Sequence, residues 1–170
     1  MTQKTSTTKR VAFIVVMSAL ANVLGYFSIP LGTTKVHFMQ LPMIFSGLAL
    51  GAMAGGIVGF TGASVMAFTL QIPNPYILPG NAILGFFTGL FYWRLKGVKP
   101  PIVPQLLSVL GAIAVQFPYT FVSDVYLMSM PVPMVLYTIL PKLLVEDLVS
   151  LFIAHIILFR VDVINMLGIR

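Results

Sequence analysis

From Phe38 to Leu70 the chain carries no charged side chain. A single helix through that run, at about 1.5 Å per residue, would overshoot the roughly 30 Å hydrocarbon core of a bilayer. The run must therefore double back. Gly51, Gly55 and Gly56 lie near its middle and permit a tight reversal. Two short helices are predicted, about Met39–Leu50 and Ala54–Leu70.

The solvent for such helices follows from composition. The 170 residues are 58% hydrophobic and only 8% charged, with mean hydropathy +1.00, whereas soluble domains carry about 25% charged residues. So few charges cannot cover a water-facing surface, and the chain reads as an integral membrane protein. Its length suits one compact bundle, a single domain over residues 1–170. There is no cysteine, so disulfides and thiolate metal sites are excluded.

The same logic extends outward from the uncharged run. A first span is predicted at about Val11–Phe27. Lys9-Arg10 and Ala19-Leu20-Ala21 imitate a cleaved secretory signal, but the apolar run continues past them, so it reads as a span. Gly32–His37 and the proline-rich Gln71–Gly80 are predicted loops. Further spans are predicted at Asn81–Trp93, Pro101–Phe121 and Met134–Phe159, making an all-α, six-helix polytopic protein.

Charge asymmetry orients those six spans. Lys4, Lys9, Arg10, Arg94, Lys96, Lys99, Arg160 and Arg170 fall on one side, eight of the ten basic residues. Only Lys35 falls on the other, and Lys142 lies within a span. The positive-inside rule then places both termini in the cytoplasm. It also accounts for the net charge of +6 without a nucleic-acid partner.

The last span, with Lys142, Glu146 and Asp147, spends three scarce charges. At such depths ionisable groups cost a few kcal/mol against lipid and should face the bundle interior or a wet cavity. Lys142 and Glu146 are spaced to meet on one helical face. They suit either a ligand cavity opening outward or a structural ion pair. Asp147 points about 100° away, which suits structural hydrogen bonding or a partner-facing role. His155, nearer the cytoplasm, suits packing or hydrogen bonding.

Other polar groups gather on the same outer side. Lys35, His37 and Gln40 lie at the first outer loop. Asn74, Tyr76 and Asn81 flank the second, Gln116, Tyr119 and Asp124 close the fifth span, and Tyr137 precedes Lys142. Amides and aromatic rings of this kind can hydrogen-bond and stack on a planar heterocycle. The predicted substrate-binding set is Lys35, His37, Gln40, Asn74, Asn81, Gln116, Tyr119, Tyr137, Lys142 and Glu146. On the first span Ser18, Ala21, Asn22 and Gly25 form a face of small residues, which permits close helix packing in lipid.

Catalytic signatures are missing. There is no phosphate-binding Gly-x-x-x-x-Gly-Lys-Ser/Thr loop, no His-Glu-x-x-His metal motif and no Gly-x-Ser-x-Gly nucleophile turn. Neither an enzymatic role nor a cofactor or metal ion is predicted.

The segments "SALANVLGYFSIPLG", "VHFMQLPMIFSGLALGAMAGGIVGF" and "GNAILGFFTGLFYWRLKG" together resemble the substrate-binding S component of energy-coupling factor (ECF) transporters, the prokaryotic vitamin importers. The resemblance implies a six-helix protein of the cell membrane that captures a vitamin near the outer face. It also implies partners, a transmembrane coupling subunit and two cytoplasmic ABC ATPases. The small face Ser18, Ala21, Asn22 and Gly25 is then expected to meet the coupling subunit, although the family's Ala-x-x-x-Ala motif survives only as Ala21-x-x-x-Gly25 and Ala19-x-x-x-Val23. Lys35, His37 and Lys142 could suit a carboxylate-bearing ligand, whereas the aromatic residues suit riboflavin, a pterin, a pyridine or a purine equally. The rival reading is a self-sufficient transporter with protons carried on Glu146 or Asp147.

Overall fold

The structure, a computed structural model, describes residues 7–31, 34–69 and 73–160. Lys4, Gly32, Thr33, Leu70, Gln71, Ile72 and Arg170 lie outside the described residues. The architecture is helical: α1 (Thr7–Tyr26), a hairpin of β1 (Ile29–Leu31) and β2 (Thr34–Val36), α2 (Gln40–Leu50), α3 (Ala52–Gly62), α4 (Ser64–Thr69), α5 (Ile77–Leu95), α6 (Ile102–Val122), α7 (Val132–Met134) and α8 (Leu140–Arg160). π-Helical turns at Ser123–Leu127 and Val135–Ile139 continue α6 and precede α8. Counting α3 with α4 and α7 with α8, six helical stretches make the bundle.

The reversal predicted within the uncharged run falls at Gly51. Its φ of 92° lies where side chains with a Cβ are strained. α2 and α3 therefore return side by side, and α3 packs most closely on α5. At that seam a Cβ on Gly55 would collide with the Gly85 carbonyl, and one on Gly85 with the Gly55 carbonyl. The backbones touch, and with no hydrophobic drive between helices in lipid, such contact supplies the attraction.

Four boundaries differ from the sequence reading. α5 begins at Ile77, inside the predicted loop, because Pro79 occupies the first turn, where no N–H is needed. The predicted third helix is interrupted at Ala63. The segment flanking Gly32 and Thr33 forms a hairpin, with Pro30 opposite Lys35. The last stretch starts at Val132 and widens before Pro141, with Leu140 N–H bonding Val135 O. Pro141 has no N–H to offer, and its ring crowds the carbonyl four residues back, so the wider turn relieves both.

Burial is inverted relative to a soluble domain. Glu146, Asp147 and Ser150 are fully buried, while Val15, Val23, Phe152 and Phe159 are exposed. α1 and the Ile102–Leu127 stretch are long and apolar enough to cross a membrane. Arg10 Nη2 donates to Leu50 O at 3.3 Å, and Trp93 packs over Gly51. The start of α1, the α2–α3 turn and the end of α5 thus share one end of the bundle, the basic end. His37, Asn74, Asp124 and Lys142 surround a cavity near the other.

Candidate functional site

The cavity is about 200 Å³, space for one small molecule and far too little for a polymer. Six predicted site residues line it: His37, Gln40, Asn74, Asn81, Gln116 and Lys142. They come from the segment before α2, from α2, from the α4–α5 connection, and from α5, α6 and α8. Crossing helices supply one polar group each, which no contiguous motif could announce.

Glu146 stands behind the cavity rather than in its lining. It is fully buried and organises the wall. Its Oε1 accepts the His37 backbone N–H at 2.8 Å and its Oε2 accepts from Gln40 Nε2 at 3.0 Å. Lys142 Nζ lies 3.6 Å from the same Oε1. One carboxylate therefore fixes the segment entering α2 against α8 and neutralises the lysine.

His37 completes the cluster. Burial, then the nearby Lys142 ammonium, lowers its pKa from 6.5 to about 4, so its ring is neutral at physiological pH. Nε2 lies 3.4 Å from Lys142 Nζ and Nδ1 lies 3.6 Å from Glu146 Oε1. A neutral ring accepting from the ammonium at Nε2 carries its proton on Nδ1, facing the carboxylate. Lys142 is paired, His37 is uncharged, and Lys35 is exposed on β2 outside the lining. The cavity offers no uncompensated cation, which removes the reason for expecting a carboxylate-bearing ligand.

The opposite wall holds Asp124, whose Oδ1 accepts from Asn74 Nδ2 at 3.3 Å. Asn74 Oδ1 in turn accepts the Tyr76 backbone N–H at 3.1 Å. Tyr119 is outside the lining, yet its hydroxyl donates to Tyr76 O at 3.2 Å and its ring backs Gly80. It supports the wall from behind. Tyr137 does neither. It is 80% exposed and absent from the lining, on the widened Val135–Ile139 turn.

The sequence reading missed Met39, Met66 and Met130, which line the cavity with Ile77, Ile139 and Leu143. A methionine in an apolar helix carries no signal separating cavity from core. Its flexible, polarisable thioether suits contact with a flat ring. Asp147 forms none of the expected hydrogen bonds, since both carboxyl oxygens lack a partner among the described residues. His155 has the expected structural role, with Nδ1 2.7 Å from Gln105 Oε1.

The small face of α1 is occupied by the chain itself. Ala21 and Gly25 are the buried residues of α1, and they pack against Gly62, Met39 and Met66. Asn22 Nδ2 donates to Thr61 O at 2.9 Å, its Oδ1 accepts Val65 N–H at 2.8 Å, and Ser18 Oγ lies 2.7 Å from Thr61 Oγ1. These contacts dock α1 on α3 and α4, so Ala21 and Gly25 are not free to meet a partner.

A polar cavity buried at one end of a helical bundle with an apolar exterior defines the class, a membrane-embedded small-molecule binder. Residues 5–163 match the family model of the ECF-type riboflavin transporter, S component. The chain belongs to that family, whose members are transporter components rather than enzymes. A solved structure described as the S component of a bacterial ECF transporter is similar over 94% of this chain and 98% of its own, with 21% identity and TM-score 0.70. A crystal structure of the S component for biotin from an ECF-type ABC transporter covers 91% and 93%, with 15% identity and TM-score 0.58. No curated protein sequence matches.

Proposed function

We propose that this protein is the vitamin-capturing subunit of an ECF-type importer in a prokaryotic plasma membrane, with riboflavin as its substrate. The observation that carries this reading is the cavity itself, ringed by the amides of Gln40, Asn74, Asn81 and Gln116. Amides can pair with the alternating donors and acceptors of an isoalloxazine edge, and the methionines can lie against its faces. The paired Lys142 fits an uncharged ring system better than an anion. The family description supplies the vitamin's name.

In this reading six spans cross the bilayer with both termini cytoplasmic, and the cavity opens outward. A coupling subunit and two ABC ATPases provide the energy. The outward side of α1, with Val15, Val16, Ala19 and Val23 exposed, meets the coupling subunit, and Ser18 and Asn22 stand at its edge. Binding is tested by quenching of riboflavin fluorescence on titration with the purified protein. Uptake is tested in vesicles with and without the coupling module. Riboflavin that is not bound, or full uptake by this chain alone, defeats the reading. The second outcome would favour proton coupling through Glu146 or the unpartnered Asp147. Orientation is tested by cysteine at Lys35, which should react with an impermeant thiol reagent from outside, and cysteine at Gly97, which should not.

A further inference from the structure

A second cavity of about 430 Å³ lies at the basic end, between α1, the α2–α3 turn and α5. Arg10, Trp93 and Arg94 line it together with Leu50, Met53 and Leu90. Its polar side chains, those of Arg10, Trp93 and Arg94, are all donors. The Arg10 guanidinium spends one N–H on Leu50 O. That of Arg94 has no hydrogen bond or ion pair among the described residues. The Trp93 indole N–H sits at the Gly51 turn, and α3 begins there without a side-chain cap. Lys96 lies 4.1 Å over the Trp93 ring, which adds another positive charge nearby.

The counter-charge is not supplied by the described carboxylates. Asp124 lines the other cavity, Glu146 stands behind that cavity, and Asp147 follows Glu146 in α8. None lines this one. Arg10 and Arg94 both line this cavity, and planar guanidinium forks match phosphate oxygens. The remaining walls are apolar, as a lipid's glycerol and first acyl carbons require. Basic pockets between membrane helices hold anionic headgroups in this way.

We propose that this cavity binds a phosphate group between Arg10 and Arg94, carried by a lipid headgroup or free in solution. Trp93 is the chain's single tryptophan and so reports on the site directly. The experiment uses the full chain in nanodiscs of phosphatidylcholine containing phosphatidylglycerol, with brominated acyl chains on one lipid or the other. Brominated phosphatidylglycerol should quench Trp93 at a mole fraction at least fivefold lower than brominated phosphatidylcholine. Arg94→Gln should abolish that preference. Arg94 makes no hydrogen bond or ion pair among the described residues, so the variant should fold, and ligand binding at the opposite end should be unchanged.

A separate arm titrates inorganic phosphate against chloride at equal ionic strength, in pure phosphatidylcholine. Preference for brominated phosphatidylglycerol that depends on Arg94 identifies a lipid headgroup. A change in Trp93 emission with inorganic phosphate that depends on Arg94, without lipid preference, identifies a soluble phosphate. Equal quenching by both lipids with no phosphate response, or responses that persist in Arg94→Gln, overturns the proposal.

Discussion

The two ends of the bundle hold their charges in opposite ways. At the ligand-cavity end, Lys142 is matched by Glu146 at 3.6 Å and a neutral imidazole fills the remaining contact. At the basic end, Arg10 and Arg94 line one cavity with no described carboxylate in the lining. The first arrangement is closed electrostatically before any ligand arrives, so shape and hydrogen bonding choose the ligand. The second has no counter-charge among the described carboxylates, so in the proposed phosphate site charge would choose the ligand.

Breaking the closed end at its centre should have the largest effect. Glu146→Ala removes the acceptor for His37 N–H and Gln40 Nε2 and strands Lys142. Loss of one partner from a buried pair costs about 3–5 kcal/mol. Thermal stability should fall sharply, and riboflavin affinity should fall at least a hundredfold in whatever protein remains folded. Glu146→Gln keeps the shape and one acceptor and should recover part of the stability but little of the charge balance. An unaltered melting temperature in Glu146→Ala would show that the carboxylate does not hold the segment before α2.

Lys142→Met comes next. The lysine lines the cavity and its side chain retains 19% exposure, so its loss leaves Glu146 with two donors still in place. Affinity should weaken about tenfold, which corresponds to about 1.4 kcal/mol, in a protein that stays monodisperse. If binding survives and stability collapses, Lys142 is a structural ion-pair partner only.

The pH dependence sharpens the same comparison. His37 titrates near 6.5 when unfolded and near 4 in the fold, so between those values the unfolded state binds more protons. Its contribution is complete above about pH 6.5 and is lost as pH falls toward 4. The slope from this residue is at most about 1.4 kcal/mol per pH unit. His37→Gln cannot titrate and should flatten the fall in melting temperature between pH 6.5 and 4 relative to the unmodified protein. Identical profiles would remove His37 as the source.

Much of the bundle was legible because the bilayer imposes a simple rule, that charge and proline mark the ends of apolar helices. The reversal at Gly51 was visible because the uncharged run is too long for one span and carries glycines near its middle. Where the rule depends on position within a turn it failed, as at Pro79, which starts a helix, and at Pro141, which follows a widened turn. The cavity was legible in its amides, since Asn81 and Gln116 have no purpose against lipid. The methionine wall was not, because burial in a core and exposure to a ligand select the same side chain. The small face of α1 was legible as a close-packing surface, but the expected occupant was a coupling subunit, and Ala21 and Gly25 instead pack within the chain. Only contacts between distant segments could show that α3 and α4 fill it.

The smallest effect is expected at Tyr137, where sequence and structure disagree most plainly. The sequence reading included it in the substrate-binding set, one to two turns from Lys142, yet it lies on the widened turn before Pro141 and is 80% exposed. An exposed tyrosine near the outer ends of membrane helices suits the interfacial belt, where ring and hydroxyl face lipid and water together. Tyr137→Ala should therefore leave riboflavin affinity within about twofold, a change of about 0.4 kcal/mol. Titration of the purified variant beside Lys142→Met, in one preparation series, makes the comparison direct. A tenfold loss in Tyr137→Ala would show that the Val135–Ile139 turn rewinds over the bound ligand. It would bring Tyr137 into the site when ligand is bound.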